Sequence, residues 1–120
     1  MAATLHDIGK IAVPEAILGK PGPLTSAEFA TLQGHPIAGA EICAPLRSAR
    51  AILPAIRHHH ERWDGQGYPD GLRGPAIPLD ARIIAIVDAF DAMTSDRPYR
   101  RGMPIPEAVA IMRANTGPQW

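Results

Sequence analysis

The chain has 120 residues, of which 46% are hydrophobic, enough for one domain and not two. Twelve Lys and Arg balance twelve Asp and Glu, so no net field draws it toward polymeric nucleic acid or an anionic membrane. The single cysteine, Cys43, excludes an intramolecular disulfide and fits a reducing compartment; no apolar run reaches the roughly 18 residues of a membrane span and no leader segment is visible, so the expectation is a cytoplasmic chain.

In chain order, "MAATLHDIG" predicts the last turns of a helix stopped by Gly9 in the left-handed cap position. "IAVPEAILGKPGPL" is a connector whose prolines and glycines prevent a continuous helix. Thr25 with Glu28 forms a capping box that opens a short helix through about Gln33. In "GHPIAGAEICAPL", Pro36 suits a first helical turn, and Ile37, Ala40, Ile42 and Cys43 roughly follow a helical stripe. Pro54 starts the helix "PAIRHHHERW", which carries the histidines near its C-terminal end. Residues 64–78, rich in glycine and proline, read as a long ordered loop of the kind that is usually functional. "LDARIIAIVDAFDAMTS" is the clearest helix, with Asp80 as N-cap and Ile83, Ile84, Val87, Phe90 and Ala92 as apolar surface. Pro104 and Pro106 precede a last helix, "EAVAIMRAN", that ends near Gly117. No segment alternates over a strand length, so the fold class is all-α.

Imidazole and carboxylate side chains recur in separate segments. "LHDIGK" holds His6, Asp7 and Lys10; "GHP" holds His35; "RHHHE" holds His58, His59, His60 and Glu61; "IVDAFDAMTSD" holds Asp88, Asp91 and Asp96. Such mixed nitrogen and oxygen ligands suit first-row metals: iron, manganese, nickel or zinc. Adjacent ligands on a helix point about 100° apart. A pair such as His6–Asp7, or two neighbours within His58–His60, therefore suits two neighbouring ions with a bridging carboxylate better than one ion. Paired metals are the recurrent device for hydrolysing phosphate esters. Each segment also has a plainer reading: His35 as a cap or loop residue, Lys10 as a cation at a helix C-terminus. Asp88 within an apolar stripe argues for a cation nearby, because an unpartnered buried carboxylate is costly.

Taken together, "HDIGKIAVPEAIL", "KPGPLT", "HP", "HHERWDGQGYPDGL", "IPLDARIIAIVDAFDAMTSDRPYR" and "GPQW" make the chain resemble the HD-GYP subgroup of the HD metal-dependent phosphohydrolases over nearly its full length. That resemblance implies an HD-domain helical bundle with a long GYP loop. It also implies hydrolysis of cyclic di-GMP, a bacterial second messenger, to linear pGpG or GMP. Carried over by position, His6, Asp7, His35, His59, His60 and Asp88 are the implied metal ligands, with Asp7 bridging and His58 outside the set. Two or three divalent ions are implied, iron or manganese first, nickel or zinc otherwise.

Asp7 and Lys10 are the implied catalytic residues, Lys10 lying near the scissile phosphate. Tyr68 in the GYP loop (Gly65, Gly67, Tyr68, Pro69), Arg97 and Arg100 are implied to bind substrate, an arginine fork being suited to two phosphate oxygens. Arg101 reads as a solvated charge, and Trp63 as packing for the loop. The family pattern has further helices and ligands before the HD motif and more chain after "GPQW". The expectation is therefore a partial HD-GYP domain over 1–120, its first helices missing, that holds one ion and a second weakly. Upstream receiver or sensory domains and GGDEF diguanylate cyclases, met through the GYP loop, are the implied partners. Two alternatives stay open: a non-catalytic module that senses cyclic di-GMP, and an HD phosphohydrolase for another nucleotide.

Overall fold

The computed structural model describes residues 1–97 and 100–120. It contains seven α-helices among those residues: α1 (Ala2–Leu5), α2 (Glu15–Leu18), α3 (Ser26–Leu32), α4 (His35–Cys43), α5 (Leu53–His58), α6 (Leu79–Thr94) and α7 (Ile105–Ala114). Tighter 3-10 turns span Ile8–Ala12, Arg47–Ile52 and Gly74–Ala76. The described residues form no strand, and a lone antiparallel bridge joins Arg97 to Arg100. The all-α expectation holds. Pro98 and Tyr99 of the "DRPYR" motif lie outside the described residues.

Several boundaries follow from local chemistry. Thr25 accepts from the Glu28 amide at 3.2 Å, and the Glu28 carboxylate accepts from the Thr25 amide at 2.7 Å, so the capping box opens α3 as predicted. Pro36 and Pro54 sit in the first turns of α4 and α5, where a missing N–H costs nothing. Asp80 does not cap α6: Pro78 holds that position, and no side chain caps the helix. Asp80 instead falls in the first turn, where its charge still favours the positive end of the helix dipole.

Gly9 is the sharper correction. It has no positive φ and caps nothing; it lies buried within the 3-10 turn Ile8–Ala12. A Cβ there would stand 1.8 Å from the His35 carbonyl oxygen and 2.5 Å from the Gly39 amide nitrogen. The glycine is needed for close approach, which lays the backbone after His6–Asp7 directly on the start of α4. Beside this contact Cys43, Ala49 and Ile56 form the buried core, with Leu5, Ile8, Ala40, Ile52 and Leu53 packed on it. Ile42, expected on the packed stripe of α4, is 43% exposed, because α4 turns Gly39 and Cys43 inward instead. On α6, Ala81 and Ile84 face the interior, whereas Ile83 and Val87 face outward.

Candidate metal centre

Four segments converge where α1, α4, α5 and α6 meet. His6 is the C-cap of α1 and Asp7 follows it; His35 opens α4, His59 is the C-cap of α5, and Asp88 sits in the middle of α6. Asp7, His35, His59 and His60 each bring a ligand atom within 4.8 Å of the others; His6, Asp7 and Asp88 form a second such group. Asp7 belongs to both. The notion that neighbouring histidines suit separate ions needs correcting here. Helix α5 ends at His58, so His59 and His60 escape helical spacing. Their ring centroids lie 4.2 Å apart, and both rings face one site.

Backbone carbonyls orient the imidazoles. Nδ1 of His6 donates to Ala3, Nδ1 of His35 to Leu32 and Nδ1 of His59 to Ile56, each at 2.7 Å. A carbonyl only accepts, so each Nδ1 carries a proton, and Nε2 is the atom turned toward the carboxylates. Nε2 of His35 lies 3.3 Å from Asp7 Oδ1, and Nε2 of His59 lies 3.9 Å from the same oxygen. Nε2 of His6 is 3.5 Å from Asp7 Oδ2 and 3.6 Å from Asp88 Oδ1. Lys10 donates to Asp7 Oδ2 at 2.6 Å.

This donor set fits divalent cations. His6 Nε2 and Asp7 Oδ1 are buried without a hydrogen-bond partner, a costly condition that a cation beside each would relieve. The Nε2 atoms of His35 and His59 approach to 3.3 Å, which places two lone pairs face to face when both rings are neutral. Burial lowers the His59 pKa to about 4 and the His60 pKa to about 3, so both rings stay uncharged at neutral pH, as a ligand must. Burial works against ionised Asp7, but its contacts with His35 and Lys10 outweigh that and hold the carboxyl well below the usual range. The His6–Asp88 contact raises the His6 pKa and lowers that of Asp88.

The remaining predicted residues divide. Tyr68 stacks on His60 with centroids 4.9 Å apart and 26° between planes. Gly67 presses the loop onto the backbone of His60–Arg62: a Cβ there would meet the Arg62 nitrogen at 2.4 Å. Tyr68, His59, His60, Asp88 and Trp120 line a cavity of about 280 Å³. A larger open depression, about 590 Å³ between Trp63, Arg73 and Gly117, touches none of the clustered ligands.

Arg97 and Arg100 are not among the residues that line the cavity beside Tyr68. Both are exposed, and the Arg100 guanidinium donates to the Ala92 carbonyl at the end of α6. His58, left outside the implied ligand set, contacts the Asp70 carboxylate at 2.8 Å. Trp63 packs the loop, with the Arg82 guanidinium 5.5 Å above its ring. Sequence reasoning counted Glu61 in the ligand inventory but gave it no specific role, and gave none to Gln119 and Trp120 beside the cavity. The only available signal for Glu61 was a carboxylate next to the histidine pair.

Known proteins are similar to this chain over most of its length. The chain is 47% identical over 119 residues to the cyclic di-GMP phosphodiesterase response regulator RpfG of Xanthomonas campestris, covering 98% of this chain and 32% of that protein. It is 49% identical over 113 residues to the cyclic di-GMP phosphodiesterase PA4108 of Pseudomonas aeruginosa, covering 93% of this chain and 27% of the relative. To the 3'3'-cGAMP-specific phosphodiesterase 3 of Vibrio cholerae it is 46% identical over 114 residues, covering 95% and 25% respectively. The chain thus spans a third or less of the length of these curated relatives. The crystal structure of a cyclic GMP-AMP specific phosphodiesterase of Vibrio cholerae superposes with a TM-score of 0.68, covering 97% of this chain and 33% of the other. At 22% identity that match speaks for the fold. The family model described as HD domain matches residues 1–120. With its paired His/Asp groups and helical architecture, the chain belongs to the HD domain family.

Proposed function

We propose that the chain is the metal-dependent phosphodiesterase portion, a partial HD-GYP domain over 1–120, of a bacterial signalling protein that hydrolyses cyclic di-GMP to pGpG or GMP. The carrying observation is Asp7, the one residue common to two converging ligand groups, Asp7 with His35, His59 and His60 and Asp7 with His6 and Asp88. Similarity to relatives named cyclic di-GMP phosphodiesterases supports the substrate. In this reading His6, Asp7 and Asp88 would hold one ion and Asp7, His35, His59 and His60 another, with Asp7 common to both groups. The hard carboxylate and borderline imidazole donors favour iron or manganese, with nickel or zinc as substitutes. Divalent ions so held supply Lewis acidity, polarising a phosphoryl oxygen and lowering the pKa of a water.

The protein groups then have distinct tasks. Asp7 and Asp88 supply the negative charge that fixes the cations, and the carbonyl-bound Nδ1 atoms fix the imidazole orientation. Lys10 uses one N–H on Asp7 and has donors left for a phosphate oxygen or the leaving oxygen. Tyr68 borders the cavity and offers a face or hydroxyl to the nucleotide. Arg97 and Arg100 serve as outer phosphate contacts on the segment after α6. GGDEF diguanylate cyclases docking through the GYP loop, an upstream receiver or sensory domain and a cytoplasmic setting complete the reading.

A second reading, a cyclic GMP-AMP phosphodiesterase, draws on the Vibrio relatives. One assay decides among them. Metal-loaded protein is incubated with cyclic di-GMP, 3'3'-cGAMP and pGpG, and products are separated by chromatography. Turnover of cyclic di-GMP that Asp7→Ala abolishes is the expected result. Turnover of cGAMP alone moves the substrate, and tight binding without turnover makes the domain a sensor.

A further inference from the structure

Immediately after the histidine pair, Glu61 is only 4% exposed, and a carboxylate so buried needs partners. It finds them in the loop backbone. One oxygen accepts the Asp70 N–H at 2.7 Å and the other accepts the Leu72 N–H at 2.9 Å. The Asp70 side chain returns to α5: Arg57 donates two parallel bonds to its oxygens, each 2.8 Å. His58 joins the same carboxylate at 2.8 Å through Nε2, while its Nδ1 contacts the Pro54 carbonyl, also at 2.8 Å. The end of α5 therefore carries candidate ligands on one side and grips the GYP loop on the other.

His58, Glu61 and Asp70 also bring ligand-type atoms within 4.8 Å of one another, a spacing suited to a further ion. Their existing bonds argue against that use. Both Glu61 oxygens are committed to backbone donors, and a cation at Asp70 would have to displace a bidentate guanidinium already in place. We propose that this triad is a latch and not a metal position: Glu61, with Asp70, is a positioning residue that clamps the GYP loop so that Tyr68 stays seated on His60. The far side of the loop fits the same picture, since the Tyr68 amide donates to the His60 carbonyl at 3.2 Å and the two rings stack. The consequence for substrate binding rests on the phosphodiesterase reading above; the seating of Tyr68 does not.

The test compares histidine ring-proton NMR spectra of the zinc-loaded protein for the parent, Tyr68→Ala, Glu61→Gln and Asp70→Asn. Tyr68→Ala defines the His60 shifts without the stacked ring. Glu61→Gln keeps the shape but turns an amide toward one of the two N–H donors. Asp70→Asn lies on the exposed side of the latch and spares the interior should Glu61→Gln fold poorly. Both latch variants are expected to move the His60 resonances toward their Tyr68→Ala positions, with zinc per chain unchanged. Parent-like His60 shifts, or loss of zinc from either latch variant, would overturn the proposal. With cyclic di-GMP, both variants are expected to raise KM several-fold and change kcat less; an unchanged KM beside displaced His60 shifts would overturn the substrate-binding consequence. If the parent hydrolyses no cyclic dinucleotide, the functional reading fails while the NMR comparison still decides the latch.

Discussion

His59 and His60 are unlike most histidines in being buried enough to remain neutral far below their ordinary range. Each has a folded-state pKa lowered by burial, to about 4 and about 3, from the ordinary 6.5. Between those values and 6.5 the unfolded chain binds more protons than the folded one, so stability rises with pH across that window and falls on acidification. Moving from 6.5 to about 4 corresponds to roughly 3 kcal/mol for His59 alone. The chelator-treated protein is therefore expected to lose thermal stability steadily from pH 6.5 toward 4, measured by circular dichroism. His59→Gln should flatten part of that slope, and a slope identical to the parent would refute the assignment. Histidine type and position were readable in the chain; the burial that keeps the rings neutral was not, because it depends on packing against α1, α4 and α6.

At the scale of elements, the contact that matters most joins the 3-10 turn after Asp7 to the start of α4. Gly9 permits it, and any side chain there collides with backbone rather than with a flexible tip. Gly9→Ala is expected to destabilise the fold by about 1–3 kcal/mol, the usual cost of overpacking. It should also weaken metal binding, because Asp7 is drawn away from His35. Urea unfolding read alongside metal titration would check both, and a parent-like midpoint would refute the contact. The capping box at Thr25 and the prolines of α4 and α5 were legible, since each acts within one turn of its own residue. Gly9 was misjudged as a cap for the complementary reason: its constraint comes from His35 and Gly39, far along the chain.

For the whole molecule, the candidate centre joins side chains from segments distant in sequence. The buried cluster around Cys43, Ala49 and Ile56 is small, and three large apolar side chains of α6, Leu79, Ile83 and Val87, are more than half exposed. An ion that binds only the folded chain should then contribute a large share of stability. At one hundred times its dissociation constant it adds about 2.7 kcal/mol, or roughly 10 °C in Tm for a domain of this size. Scanning calorimetry with and without manganese is expected to show that rise in the parent and to lose most of it in Asp7→Asn. An unchanged Tm would mean that the cluster holds no ion under those conditions.

By itself the sequence determined the helical class, the positions of several helix starts, and the inventory of imidazole and carboxylate groups. Those features depend on residue type and on neighbours a few positions away. Tertiary structure gathered around Asp7 the two groups that the resemblance had implied, and it alone decided that His59 and His60 leave the helix to face a single site and that Glu61 holds a loop. These outcomes depend on backbones separated by tens of residues coming within a few ångströms, a condition set by packing of the whole chain.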